Sequence, residues 1–271
     1  MNHSGASGRR STLIALASTL VFAAVLVLVV SNAPGWPSVK QAFFNGEVFR
    51  DSLGVIPEAF LVNVKIFLIA EVLILPFALL IAVLRSLPGP VFFPLRALAV
   101  VYADLFRGIP TILVIYMLGF GVPALGLSWL PIDPLFWGVV ALVLVYSAYV
   151  SEVYRAGIES VHPSQTAAAR SLGLSHVTAL RFVVLPQAVR RVVPPLLNDF
   201  IGLQKDTALV GLLGVVEAFR QSQIEVASTF NYTPYLVTAI LFVLLTIPLA
   251  RLTDWLVARD RRRQLAAGGA L

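Results

Sequence analysis

The sequence has no cysteine and little charge, because only 13% of its 271 residues are Asp, Glu, Lys or Arg while 58% are hydrophobic. The missing cysteine excludes disulfides, thiolate metal sites and cysteine nucleophiles. A soluble domain carries about 25% charged and about 45–50% apolar residues, so the composition excludes an ordinary soluble enzyme. A mean hydropathy of +0.88 also excludes a disordered chain, which has low hydrophobicity and high charge. The composition indicates an integral membrane protein.

Long apolar runs recur along the chain. A helix needs ~20 mostly apolar residues to cross a bilayer, and we predict spans over residues 11–30, 59–84, 97–120, 135–151, 192–216 and 234–257. The first run is longer than the apolar core of a cleaved signal peptide, about 7–15 residues, so we expect it to be retained as an anchor. The predicted fold class is all-α, a polytopic helical membrane protein with six transmembrane helices.

The basic residues are distributed unevenly between the two sides of these spans. Lys and Arg are retained in the short cytoplasmic loops of membrane proteins, and a cytoplasmic N-terminus puts most of the twenty here on that side. The outer segments would then hold only Lys40, Arg50 and Arg220, while the inner ones hold Arg9, Arg10, Arg85, Arg96, Arg155, Arg170, Arg181, Arg190, Arg191, Arg251, Arg259, Arg261, Arg262 and Arg263. We therefore predict a multi-pass protein of the bacterial inner or plasma membrane with both termini in the cytoplasm.

Lysine is scarce, and this bears on the energy source. Only Lys40, Lys65 and Lys205 occur, and none stands in the Gly-x-x-x-x-Gly-Lys-Ser/Thr loop that binds ATP phosphates. The histidines lack metal-ligand spacing, no Gly-x-Ser-x-Gly elbow is present, and no basic patch with interleaved aromatics points to nucleic acid. We predict no catalytic residue, no metal site, no bound cofactor and no nucleic-acid partner. If the protein drives transport, another subunit must supply the energy.

One hydrophilic segment of substantial length, 152–191, separates the fourth and fifth spans. Pro163 and Ser164 are helix-start signals, with Ser164 able to cap free backbone N–H groups. Gly173 can end that helix in the left-handed conformation, and Ser175 can cap the next one. The segment therefore predicts two short helices that meet at a glycine bend. It is either a docking element for a partner or a solvated hairpin.

The residues around this bend resemble the permease subunit of ATP-binding-cassette importers, in the branch that takes up polar amino acids. The family motif is Glu-Ala-Ala, three residues, Gly, nine residues, an aliphatic residue, any residue, Leu and Pro. The sequence matches it with Ala167-Ala168-Ala169, Gly173, Val183, Leu185 and Pro186, and the branch signatures with Glu152, Arg155-Ala156-Gly157, Asn198-Asp199, Lys205-Asp206-Thr207 and Arg107-Gly108-Ile109-Pro110. It departs where Ala167 replaces the glutamate and Ser164 replaces a glycine.

The resemblance implies the transmembrane fold of a type I ABC importer and a set of partners. These are a separate ATPase that binds the ATP, an extracellular or periplasmic amino-acid-binding protein, and a second permease subunit, identical or related, within the lipid bilayer. It also implies that the residues that couple to the ATPase are Gln165, Ala167, Ala168, Arg170, Gly173 and Leu174.

Seven charged residues fall within the second, third and fifth predicted spans: Lys65, Glu71, Asp104, Arg107, Asp199, Lys205 and Asp206. A charge at the bilayer centre costs at least ~2.5–3.5 kcal/mol, so we expect most to face the bundle interior, a partner or the interface. Asp104 and Arg107 lie three residues apart on one helix and can pair. As candidates for a translocation path that binds a zwitterionic substrate we predict Asp104, Arg107, Asn198, Lys205 and Asp206. Ion pairing that only fixes helix packing is the alternative for each.

Three segments follow from these predictions. Residues 1–58 hold the extra helix at 11–30 and an external segment, 59–258 form the permease domain with the coupling loop 152–191, and 259–271 form a basic cytoplasmic tail. The function predicted is an ABC importer permease. The alternative is a secondary transporter or channel that uses an ion gradient through Glu71, Asp104 and Asp199, and a non-transporting membrane anchor is a more distant one.

Overall fold

A computed structural model describes the backbone of residues 4–268 and the side chains of 11–175, 178–259 and 262. In this part of the chain every regular element is helical, which confirms the all-α prediction. The α-helices are α1 Ser4–Ser31, α2 Trp36–Phe43, α3 Gly46–Ser86, α4 Phe93–Gly108, α5 Thr111–Tyr116, α6 Pro134–Glu159, α7 Pro163–Ser171, α8 His176–Ala179, α9 Leu185–Asp206, α10 Ala218–Thr229 and α11 Thr233–Gly268. Residues 269–271 of the predicted basic tail lie outside the described part.

Six membrane-spanning helices were predicted, and by length and composition alone four or five stretches of the described chain qualify. By length and apolar composition four stretches of the described chain qualify: Ser11–Ser31, Trp36–Ser86, Pro134–Glu159 and Thr233–Arg259, with Phe93–Gly108 plus Thr111–Leu125 as a fifth if that bent pair is one span. The predicted fifth span, 192–216, is not a single α-helix, since α9 ends at Asp206 and a 3₁₀ segment, Thr207–Leu213, follows. α9 is less apolar than the other spans because it carries several charged residues. The count of six spans is therefore not confirmed.

The third predicted span is wrong as a continuous helix. α4 and α5 meet at an angle of 105°. Ile109 between them has an extended backbone, with φ −97° and ψ 132°, because a residue before proline is pushed out of the helical region. Pro110 thus breaks the run into two helices, and the second continues into a π-helical turn, Met117–Gly121.

α3 is much longer than the span predicted within it. It begins at Gly46, where the Asn45 side chain accepts hydrogen bonds from the backbone N–H groups of Glu47 and Val48. At 1.5 Å per residue its 41 residues reach roughly 60 Å, about twice the ~30 Å hydrocarbon core of a bilayer. The helix therefore tilts or extends beyond the membrane, and it runs through residue 58, the predicted end of the N-terminal segment.

The core lies between α3 and α6. Ile66, Ala70, Ile74 and Ala78 recur at every fourth residue of α3, and each is at most 1% exposed. This spacing aligns them on one face, which packs in the same cluster as Ala141, Leu142 and Val145 of α6. By contrast, every described side chain of α1 from residue 11 to 31 is exposed, as expected for a helix surrounded by lipid.

Candidate functional site: a hairpin and a polar interior

The segment between α6 and α9 folds into the two short helices predicted. The predicted Ser164 cap is wrong, because His162 occupies the N-cap position of α7 and its Nδ1 accepts a hydrogen bond from the Ser164 N–H at 3.2 Å. Histidine is not among the usual cap residues, so the sequence carried no clear signal for it. The predicted Ser175 cap is confirmed, since its hydroxyl accepts from the Thr178 N–H at 3.2 Å.

The turn after α7 requires glycine. Gly173 has φ +85°, its N–H donates to the Arg170 carbonyl at 3.0 Å, and the Leu174 N–H donates to the Ala169 carbonyl at 3.2 Å. This pair of bonds is the Schellman motif, which satisfies the last free carbonyls of a helix. The glycine bend predicted from the sequence is thus confirmed.

One face of this hairpin is open. Gln165, Ala167, Ala168, Arg170 and Gly173 are all exposed, and Leu174 is partly so. Leu172, at the tip, is 83% exposed, whereas Ala169 is only 5% exposed. The residues predicted for coupling are therefore accessible to a partner, and an exposed apolar side chain lies beside them.

The hairpin is held firmly to the helices on either side. Val161, Val184 and Ala188 form a small buried cluster at its base, and the Arg191 guanidinium donates to the Ser160 carbonyl. At Gly157 of α6 a Cβ atom would overlap the side chain of Val192 in α9, so α6 and α9 cross closely here.

A groove of about 670 Å³ separates α7 from the helix ends beneath it. Its walls are mostly apolar, with one acid and one base, and consist of Ile158, Glu159, Val161, Pro163, Thr166, Ala167, Arg170, Leu180 and Val184. Ala167, where the motif has glutamate, adds no charge of its own to this groove.

The break between α4 and α5 sets the position of Arg107. Its guanidinium lies 3.6 Å from Glu152 of α6, while Arg85 of α3 approaches the same carboxylate at 2.6 Å and Arg155 also pairs with it. The predicted pairing of Arg107 with Asp104 does not form among the described residues, because Glu152 competes for the guanidinium across the helix interface. Glu152 thereby ties together three helices that are distant in sequence.

A second polar group lies where α6 and α9 meet. The Tyr146 hydroxyl donates to Asp206 at 2.9 Å, and Lys205 precedes Asp206 in the sequence with the opposite charge. The Tyr149 hydroxyl, on the same helix as Tyr146, donates to the Arg107 carbonyl at 3.3 Å. Two tyrosines of α6 thus bond Asp206 and the backbone of Arg107, while the Arg107 guanidinium itself lies at Glu152.

The remaining predicted path residues are not part of this group. Asp104 and Asn198 are exposed and form no ion pair or side-chain hydrogen bond within the described part of the chain. Lys205 is also exposed and borders a second pocket of about 330 Å³, lined by Lys205, Ala208, Phe219, Tyr235, Thr238, Ala239 and Phe242. Glu71 and Asp199 each keep one carboxylate oxygen shielded from solvent and without a hydrogen-bond partner.

The sequence did not single out several residues that organise this interior. Tyr146 lies inside the apolar span 135–151, where an aromatic side chain resembles ordinary core. Asn63 donates to Thr207 at 3.1 Å and to Glu217 at 2.9 Å, all within buried surroundings. Nothing in the sequence indicates that Asn63, within the predicted span 59–84, contacts Glu217, which directly follows the predicted span 192–216. Among the described residues, no group of three or more His, Asp or Glu could hold a metal ion.

Comparison with known proteins identifies the family. Residues 75–262 match the model of the binding-protein-dependent transport system inner membrane component. The probable glutamine ABC transporter permease protein GlnM of Bacillus subtilis is 36% identical over 170 residues, 62% of this chain and 77% of that protein. The arginine transport system permease protein ArtQ of Bacillus subtilis is 34% identical over 157 residues, 58% of this chain and 71% of that protein.

Solved structures agree with this result. A crystal structure of an amino acid ABC transporter with histidines is similar with a TM-score of 0.70 and 30% identity, over 76% of this chain and 94% of that one. The MetNI methionine ABC transporter shares the fold, with a TM-score of 0.55 at 21% identity over the same shares of the two chains. The resemblance to ABC importer permeases is therefore confirmed, and the chain belongs to the family of binding-protein-dependent transport system inner membrane components.

Proposed function

We propose that this chain is the permease subunit of an ATP-binding-cassette importer and forms the membrane path for a polar amino acid. Proteins named as glutamine and arginine permeases are among its relatives, which supports an amino acid as substrate. The observation that carries the proposal is the exposed hairpin of α7 and α8, since an ATPase outside the membrane needs a rigid element through which to move the spans.

The partners follow from the same proposal. The chain has no phosphate-binding loop and binds no cofactor of its own, so a separate ATPase subunit binds ATP and contacts Gln165, Ala167, Ala168, Arg170, Gly173 and Leu174. A second permease subunit completes the path, and a binding protein outside the cell delivers the substrate. Both termini lie in the cytoplasm of a bacterial cell and the spans cross its inner or plasma membrane, a topology supported by the uneven distribution of basic residues.

Motion passes from the hairpin to the path through two neighbouring helices. The close crossing of α6 and α9 at Gly157 and the buried cluster of Val161, Val184 and Ala188 join the hairpin to both. α6 carries Glu152 and Tyr146, and α9 carries Asp206. A displacement of α7 on ATP binding is thereby transmitted to the Arg107 and Asp206 groups.

The path binds both charges of a zwitterion. Arg107 and Lys205 supply cationic groups for a carboxylate, and Asp206, held by Tyr146, supplies an anionic group for an ammonium. Asp104 and Asn198 line the exposed continuation of the path. Opposite charges held a short distance apart stabilise a zwitterion that would otherwise lose its hydration within the membrane.

Uptake by the reconstituted complex tests the coupling role. We expect Gly173→Asp combined with Leu174→Asp to abolish ATP-driven uptake and the stimulation of ATP hydrolysis by loaded binding protein, because both the turn and its apolar flank are lost. Gly89→Asp is the matched control, since Gly89 also has a positive φ and open surroundings but lies outside the hairpin. Uptake that survives the hairpin change would contradict the role of the hairpin.

A second arm of the experiment separates the importer from the secondary transporter. Vesicles that contain the permease alone, with a proton or sodium gradient imposed, should accumulate no amino acid. Accumulation without the ATPase, lost on Glu71→Gln or Asp199→Asn, would instead favour gradient-driven transport through these carboxyl groups.

A further inference from the structure

Phe230 has an unusual backbone for a bulky residue. It follows α10 with φ +52° and ψ 26°, and in the described chain it is the sole non-glycine residue with a positive φ. The left-handed region is unfavourable for side chains with a Cβ, yet the ring of Phe230 is 85% exposed. No packing within the chain repays this strain, which indicates that something outside the chain covers the ring.

The surrounding contacts hold Phe230 in place. The Asn231 side chain donates to the Gln41 carbonyl at 2.9 Å, and the Tyr232 N–H donates to the Ala42 carbonyl at 2.7 Å. The Tyr232 ring stacks on Phe43 with centroids 5.0 Å apart. These contacts join the α10–α11 corner to the end of α2.

Together these segments present a band of aromatic side chains, which we call the aromatic collar: Trp36, Phe43, Phe44, Phe230 and Tyr232. Phe43 and Tyr232 are each 42% exposed and Phe44 is 54% exposed. Trp36 lies against Phe44 with ring centroids 6.2 Å apart. The collar therefore combines apolar rings with a phenol and an indole.

The depth of the collar follows from the helices that begin beside it. α11 starts at Thr233 and is a candidate span up to Arg259, so Phe230 and Tyr232 stand directly before its first turn. Thr233 Oγ1 accepts from the Asn45 N–H at 3.1 Å, which puts the start of α3 at the same level. Residues 32–35 are all that separates α2 from α1, another candidate span.

We propose that the aromatic collar, with the exposed ring of Phe230, inserts into the lipid bilayer at the boundary between headgroups and acyl chains. α11 begins beside the collar and has an exposed apolar face farther along, where Val243, Leu244 and Ile247 are 50–64% exposed. Aromatic rings with a polar tip favour this boundary, and short helices with one apolar face lie in it. Lys40, exposed in the last turn of α2, is placed to meet lipid phosphates.

Because the chain has no native cysteine, single-cysteine variants test this directly. Nitroxide labels at Phe230→Cys and Phe44→Cys are measured in the full chain in phosphatidylcholine vesicles, by their collision rates with oxygen and with a water-soluble nickel chelate. Leu244→Cys, exposed in the middle of α11, is the lipid reference, and Ser171→Cys, exposed on the hairpin, is the water reference. Phe44 has a negative φ, so its result does not depend on keeping the strained turn.

We expect both collar labels to have an oxygen-to-nickel collision ratio several-fold above that of Ser171→Cys and below that of Leu244→Cys. A ratio equal to that of the water reference would overturn the proposal. Low collision rates with both reagents, or protection that appears only when a binding protein is added, would also overturn it, because they assign the collar to a protein contact.

Discussion

At the scale of single residues, small side chains decide how closely the helices approach. A Cβ atom at Gly138 would overlap Val210, and one at Gly157 would overlap Val192. Both glycines lie on α6. Because they have no side chain, α9 packs closely on α6 at Gly157, and the 3₁₀ segment Thr207–Leu213 does so at Gly138. The sequence shows the glycines but not which neighbour requires them, because close approach depends on tertiary packing.

Gly157→Ala should destabilise the crossing of α6 and α9. Overpacking a tight contact costs typically 1–3 kcal/mol, so we expect a lower midpoint of thermal unfolding in detergent. Val192→Ala in the same chain should restore part of the loss, because the overlap is with the Val192 side chain. Gly54→Ala is the control: Gly54 is also helical, but no atom lies within 4 Å of the position that a Cβ would take there, and its midpoint should stay or rise. Equal losses at both positions would contradict the close crossing.

A buried polar network forms a second constraint at this scale. Glu217 is 0% exposed, and its carboxylate accepts from the Asn63 side chain and from the Phe219 and Arg220 N–H groups at 2.8–2.9 Å. The side-chain oxygen Oδ1 of Asn63 in turn accepts a hydrogen bond from the Ala218 N–H at 3.0 Å. The network fixes the start of α10 against α3.

Asn63→Ala should therefore be costly. It removes one of the three hydrogen bonds to the buried Glu217 carboxylate and leaves the Ala218 N–H without its partner, and a buried donor left unpaired costs about 1–3 kcal/mol. We expect a clear fall in the thermal midpoint in detergent. Ser228→Ala, which removes only an exposed hydroxyl bonded to the Glu225 carbonyl, should change the midpoint little. A fall of similar size in the two variants would argue against the network.

At the scale of elements, the coupling hairpin depends on the conformation of one turn. A Cβ atom at Gly173 would have no atom within 4 Å, but the residue has φ +85°. A substitution there therefore acts through backbone strain and not through steric clashes. Asn tolerates the left-handed region better than Ala or Val, although its side chain is larger than that of Ala.

We expect the ATPase activity that loaded binding protein stimulates to be highest with the native Gly173. It should be lower in Gly173→Asn, lower again in Gly173→Ala and lowest in Gly173→Val. A non-glycine residue in this conformation costs roughly 1–2 kcal/mol, which weakens the turn and misdirects α7. The same three substitutions at Gly35 are the control, because Gly35 has φ −85° and open surroundings. They should not change the stimulated ATPase activity. An order that follows side-chain size at Gly173 instead would mean that contact with the partner, and not strain, sets the effect.

The sequence predicted some elements well and others poorly, for identifiable reasons. Apolar runs and the Gly173 and Ser175 signals were sufficient to locate the spans at 135–151 and 234–257 and the hairpin between α6 and α9. The prediction of a single span over 97–120 missed the break at Ile109 and Pro110, because the apolar run continues on both sides of it. The predicted span 192–216 continues past the end of α9, because Thr207–Leu213 is apolar but adopts 3₁₀ geometry, which hydropathy does not distinguish from an α-helix. The partners of Glu152 come from three helices, a contact that sequence spacing cannot reveal.

At the scale of the whole molecule, the arrangement of basic residues implies that the hairpin and the loop at Gly126–Asp133 face opposite sides of the membrane. α6 joins the two, since it begins at Pro134 and ends at Glu159 as a candidate span. Ser128 in the loop and Ser171 in the hairpin are both exposed. The hairpin can meet an ATPase only if its side is the cytoplasmic one.

Single cysteines in the otherwise cysteine-free chain test this orientation. In intact bacterial cells, a membrane-impermeant maleimide should label Ser128→Cys, and it should label Ser171→Cys only after the membrane is permeabilised, because fourteen basic residues retain the hairpin side in the cytoplasm. The unsubstituted chain is the control for background, since it has no thiol. Labelling of Ser171→Cys in intact cells would reverse the topology, and with it the hairpin's access to any cytoplasmic ATPase.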